Sequence, residues 1–71
     1  MIVSARRGRV IAFDEAKGYG TVTGDDGVER FFHCTQIADG TRKIAVGTAV
    51  TFAIVPGLLG RWEAADLRPA G

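Results

Sequence analysis

Residues 20–33 read Gly20-Thr21-Val22-Thr23-Gly24-Asp25-Asp26-Gly27-Val28-Glu29-Arg30-Phe31-Phe32-His33, two runs of strand-forming residues on either side of an acidic turn closed by glycine. Aspartate caps backbone amides and glycine accepts positive φ, so this turn folds the runs into an antiparallel hairpin of nearly fixed register. By the two-residue period of a strand, Val28, Arg30 and Phe32 share one face of the second run, and Glu29, Phe31 and His33 share the other. With Phe32 in the core, Arg30 snorkels at a rim, and Phe31 and His33 stand together outside. An exposed aromatic ring beside an exposed imidazole calls for a functional explanation.

Outward from the hairpin, glycines punctuate short segments rich in Val, Ile, Thr and Phe, a pattern that reads as all-β. Strands are expected over 8–14, 20–23, 28–33, 48–55 and 62–68. In the fourth, Val50, Phe52 and Ile54 alternate with Thr51, Ala53 and Val55, so the first set faces the core and the second lies nearer solvent. The stretch from 35 to 47 lacks sustained alternation; it is expected to open with one helical turn at Thr35-Gln36-Ile37 and continue as a loop through Asp39-Gly40-Thr41.

Length and composition narrow the function classes. Seventy-one residues make one domain, 1–71, and a chain this short buries only about 60% of the surface its unfolded form exposes. At 46% hydrophobic and 24% charged, the chain has the means to fold rather than stay disordered. The lone Cys34 forms no internal disulfide and offers no zinc site of known spacing, which points to a reducing cytoplasm. Residues 1–5 are apolar, but Arg6, Arg7 and Arg9 follow at once, so neither a signal peptide nor a membrane span is expected. Nine Lys/Arg against eight Asp/Glu leave a net charge of +1, which by itself neither supports nor opposes a polyanionic partner. His33 and Cys34 are strand neighbours that point to opposite faces, which disfavours a catalytic dyad, and Cys34 is expected to be buried and inert. Asp14/Glu15 and Asp25/Asp26 read as solvated turn residues, and Gly18-Tyr19-Gly20 lacks the Gly-Lys-Ser/Thr ending of a phosphate loop. No catalytic constellation, metal site, cofactor site or small-molecule substrate is indicated.

Lys17-Gly18-Tyr19-Gly20-Thr21-Val22 and Arg30-Phe31-Phe32-His33-Cys34 resemble the paired ribonucleoprotein motifs of cold-shock proteins, Lys-Gly-Phe-Gly-Phe-Ile and Val-Phe-Val-His-Phe. The resemblance runs over nearly the whole chain, from Gly8-Arg9-Val10-Ile11-Ala12-Phe13, similar to Gly-Lys-Val-Lys-Trp-Phe, to Ala64-Ala65-Asp66-Leu67, similar to the closing Ala-Ala-Asn-Val. It implies a five-stranded antiparallel OB-fold barrel of cold-shock-domain type, monomeric, binding single-stranded RNA or DNA in the cytoplasm. Flat side chains on two neighbouring strands give bases a surface to stack on while cations meet phosphates. Carried onto this sequence, the platform is Tyr19, Phe31 and His33, extended by Phe13; Lys17 supplies a phosphate contact, helped by Arg9 or Arg61.

The sequence also departs from the family. Ala12 stands where the family usually has Trp, Thr21 and Cys34 where it has Phe, Ile11 where it often has Lys, and Thr41 where the loop often carries another aromatic. Losing two stacking sites costs roughly 2 to 6 kcal/mol if nothing compensates. Trp62, with Arg61 beside it, is a candidate replacement bordering the ligand groove; equally, it is a cover for one barrel end. The rival reading of the same barrel is a protein-interaction module, with Ile11, Ala12 and Phe13 as part of an apolar contact patch.

Overall fold

The computed structural model describes residues 6–57 and 60–70; the apolar segment 1–5 lies outside them. Five strands, β1 (Arg6–Asp14), β2 (Tyr19–Gly24), β3 (Glu29–His33), β4 (Ala49–Pro56) and β5 (Trp62–Pro69), follow one another, with a 3-10 turn, Cys34–Gln36, after β3. They close into a barrel in the order β1-β2-β3-β5-β4. All-β architecture and the expected strands are therefore present, each within two residues of its sequence-derived bounds, and the helical turn begins one residue earlier than expected. One expectation is corrected: the barrel is not antiparallel throughout. β3 and β5 run parallel and meet at Phe31 and Glu63, because closing five strands brings the third beside the fifth in the same direction.

The hairpin has the register its turn dictates, from Tyr19↔His33 through Thr23↔Glu29. Gly27 takes φ 80°, the left-handed conformation that L side chains rarely adopt, while the Asp26 carboxylate accepts from the Val28 amide at 3.0 Å. Asp26 does more than a solvated turn residue would. Its carboxylate also accepts from Arg30 at 3.0 Å and pairs with Arg6 at 3.5 Å. The Arg30 bond, then the Val28 amide and the nearby positive charges, lower its carboxyl pKa to about 2. Arg30 thereby sits at the barrel rim with its guanidinium neutralised and its side chain only 10% exposed.

The interior is filled by Val10, Val22, Phe32, Ile37, Val50, Phe52, Ala64 and Leu67. These come from every strand and the turn after β3, and no buried side-chain polar atom among the described residues lacks a partner. Val50 and Phe52 of β4 face inward as expected, whereas Ile54 is half-buried against the core. At Gly20 a side chain has no room: an added Cβ would strike the Ala12 carbonyl and come within 2.8 Å of the Phe32 ring.

Strand β1 carries a bulge. Val10 pairs with Val22 and Ala12 with Thr21, leaving Ile11 as the extra residue. Ile11 and Ala12 are both exposed as a result, and Phe13, opposite Gly20, is half-buried.

Candidate nucleic-acid interface

Outward alternation on β2 and β3 puts Tyr19 and Thr21 beside Phe31 and His33 on one face of the barrel. The Tyr19 and Phe31 rings lie 5.2 Å apart, centroid to centroid, at 41°. Phe31 is 37% exposed and Tyr19 is half-buried, so both present a ring surface to solvent. His33, paired with Tyr19 across the strands, continues the row. Its Nδ1 accepts from the Thr35 amide at 3.3 Å and lies 3.0 Å from the Thr35 hydroxyl. A neutral imidazole held this way carries its proton on Nε2, which leaves an outward donor beside the two rings. The turn that begins at Cys34 therefore fixes the ring as well as the chain direction.

Lys17 lies in the turn before β2. Its amide donates to the Asp14 Oδ1 at 3.0 Å, the Gly18 amide donates to the Asp14 carbonyl at 2.7 Å, and the Cys34 amide donates to the Gly18 carbonyl at 2.7 Å. Asp14 thus shapes the turn, and the last bond ties it to the end of β3. The Lys17 ammonium remains exposed next to Tyr19 and forms no ion pair among the described residues. Cys34 is half-buried rather than buried, packed at the core margin with its Sγ 3.9 Å from the His33 Nδ1. The two residues point to different sides of the chain only in part, because the 3-10 turn starts at Cys34 and ends the strict alternation of β3.

On the other side of Phe31 the β3–β5 pairing brings in Trp62 and Arg61. Phe31, Trp62, Arg61, Ile54, Glu29 and Val28 border an open groove of ≈ 550 Å³. Trp62 is 63% exposed and lines this groove. Arg61 is exposed there and unpaired with any carboxylate among the described residues.

Two sequence candidates stand apart from this surface. Phe13 stacks on the buried ring of Phe32 at 5.9 Å and 5°, so its ring belongs to the core margin and not to the Tyr19–Phe31 pair. Arg9 donates to the Gly47 carbonyl at 2.6 Å, which holds its guanidinium at the β1–β4 side. Between Phe31 and β1 the face is nearly flat: Phe31 pairs with Thr21 and Thr21 with Ala12, both without rings. Glu29 is the residue that sequence reasoning missed. It shares the outer face of β3 with Phe31 and borders the groove, a position that strand alternation alone already indicated.

The sequence profile of the "'Cold-shock' DNA-binding domain" matches residues 6–69. The chain is 44% identical over 66 residues to "Cold shock protein 1" of Arabidopsis thaliana, covering 90% of this chain and 22% of that protein. It is 40% identical over 55 residues to the "Cold shock-like protein" of Thermotoga maritima, covering 76% of this chain and 83% of that protein. Among solved structures it superposes on drosophila Unr CSD456 with a TM-score of 0.81, at 20% identity, over 97% of this chain and 28% of the other. That last likeness is one of fold. The chain spans under a third of the plant relatives it matches and most of the bacterial ones.

Proposed function

The chain belongs to the cold-shock domain family, and on that premise we propose that it is a non-enzymatic binder of single-stranded RNA or DNA, acting as a chaperone or regulator that holds strands open. Bases stack on Tyr19, Phe31 and His33, Trp62 extends the surface on the β5 side, and Lys17 and Arg61 meet phosphates. The observation that carries the reading is the Tyr19–Phe31 pair, two rings 5.2 Å apart on an outer face that no other described element covers. Rings kept in solvent cost the fold apolar burial, and a partner with flat faces recovers it. Each base so stacked is worth about 1 to 3 kcal/mol.

The proposal covers residues 1–71 as one cold-shock-like OB domain, a monomer in the cytoplasm. Closure of the barrel supports the monomer, since it leaves little sheet edge among the described residues to pair with a second copy. The lone Cys34 supports a reducing compartment. No helix among the described residues is long and apolar enough to cross a membrane.

The experiment is a titration of a short pyrimidine-rich oligonucleotide, as DNA and as RNA, into the protein and its Phe31→Ala variant at low and moderate salt. Binding that weakens in the folded variant, and weakens as salt rises, is expected. No binding of either oligonucleotide at low salt overturns the reading and favours a protein partner for the exposed Ile11–Ala12 bulge.

A further inference from the structure

We propose that the groove between Phe31 and Trp62 is a base pocket that prefers guanine, with Glu29 and Arg61 reading the base's two edges. The inference rests on the single-strand reading above and adds to it a specificity that stacking alone does not supply, because every base has a π-face.

The pocket joins chemistry of two kinds. Its walls are apolar and aromatic: Phe31 at 37% exposure, Trp62 at 63%, and the half-buried Ile54 of β4. At ≈ 550 Å³ it lies within the usual range of small-ligand sites, roughly 300 to 1,000 Å³, and takes a purine with its sugar. Its rim carries one carboxylate and one guanidinium, those of Glu29 and Arg61, that form no ion pair with each other or with any other described residue. The third charged residue, Arg30, is already held by Asp26. Glu29 and Phe31 are two residues apart on one strand and point the same way, so the carboxylate stands at the edge of a base lying on the Phe31 ring.

An ionised carboxylate only accepts hydrogen bonds, and a guanidinium only donates them. Guanine is the base that answers both. Its N1–H and N2 amine are adjacent donors that suit the two oxygens of Glu29, and its O6 and N7 are adjacent acceptors that suit Arg61. Adenine and cytosine each turn a ring-nitrogen acceptor toward the carboxylate beside their amine, and thymine or uracil offers one N–H between two carbonyls. Single-stranded bases are read on these exposed edges.

The test measures anisotropy of labelled oligo-dT and of the same strand with one central position changed to dG, dA, dC or deoxyinosine. The dG strand is expected to bind about tenfold tighter than the dA or dC strands, within the range of a good bidentate contact, and deoxyinosine, which lacks the N2 amine, to fall between. Glu29→Ala should lower the dG-to-dA ratio, and Glu29→Ala combined with Arg61→Ala should abolish it. Trp62→Ala should weaken every strand. Equal affinity for dG and dA strands, or a dG preference undiminished by Glu29→Ala, overturns the pocket assignment while oligo-dT binding still upholds the single-strand reading. Failure of every strand to bind overturns both.

Discussion

The inner and outer faces of the β2–β3 hairpin are built from the same residues taken alternately, yet they answer to different demands. Inside, Val22 and Phe32 are fully buried and Gly20 leaves room for nothing larger. Outside, Phe31 and His33 are exposed and Tyr19 is half-buried beside them. Phe31 and Phe32 are neighbours in the chain, and the strand's two-residue period alone assigns Phe32 to the core and Phe31 to the proposed base platform. In a barrel this small the proposed binding surface is the reverse side of the core, so neither can be altered without regard to the other.

The sharpest way to break that division is Phe32→Ala, which should cost about 3 to 5 kcal/mol of stability in a denaturant titration, as removal of a fully buried ring does. A loss below about 1 kcal/mol would mean that the inner face is not what holds the barrel. Next comes Phe31→Ala, for which the expected loss moves from stability to binding. Affinity for a single-stranded oligonucleotide should fall by about 1 to 3 kcal/mol while the unfolding midpoint hardly moves. Thr21→Phe, which puts a third ring between Phe31 and Ala12, should strengthen binding by about 1 kcal/mol in the same titration. An unchanged affinity would show that nucleotides do not cross toward β1.

The smallest effect concerns Arg30, which has inner-face parity but a charged head. Its partner Asp26 has a carboxyl pKa lowered in the folded state to about 2, below the value it takes when unfolded. The stabilisation from this pair is therefore present above the ordinary carboxylate range and is lost as pH falls toward 2. In acid unfolding followed by circular dichroism, Asp26→Asn should start less stable at neutral pH and lose less on acidification than the unaltered protein. Parallel acid limbs would remove the pair from the account of how the inner face ends.

Most of the fold was legible because its signals are local. Alternation in β3 and β4 and the Asp25-Asp26-Gly27 turn needed no knowledge of the rest of the chain. What escaped reading is what depends on neighbours. The Ile11 bulge shifts the parity of β1 by one, and so Phe13, expected on the platform, stacks on Phe32 at the core margin instead. A bulge leaves no composition mark when the extra residue is another apolar one. The same holds for Asp26 as the partner of Arg6, which lies on a strand that meets the hairpin only after folding. Tyr19, Phe31 and His33 were readable from motif and parity, whereas the groove at Trp62 required the parallel approach of β5.

That approach has a dynamic consequence. β3 and β5 meet through one register pair, Phe31 and Glu63, while β2 and β3 are laced along the whole hairpin. The least-fastened line around the barrel thus passes under the Phe31 ring and beside Trp62. Amide hydrogens along it should exchange with solvent through local opening well before those of the hairpin do. A ligand gripping Phe31 on one side and Trp62 on the other would act as a rivet across this seam, slowing exchange there first and raising the barrel's resistance to unfolding as it binds.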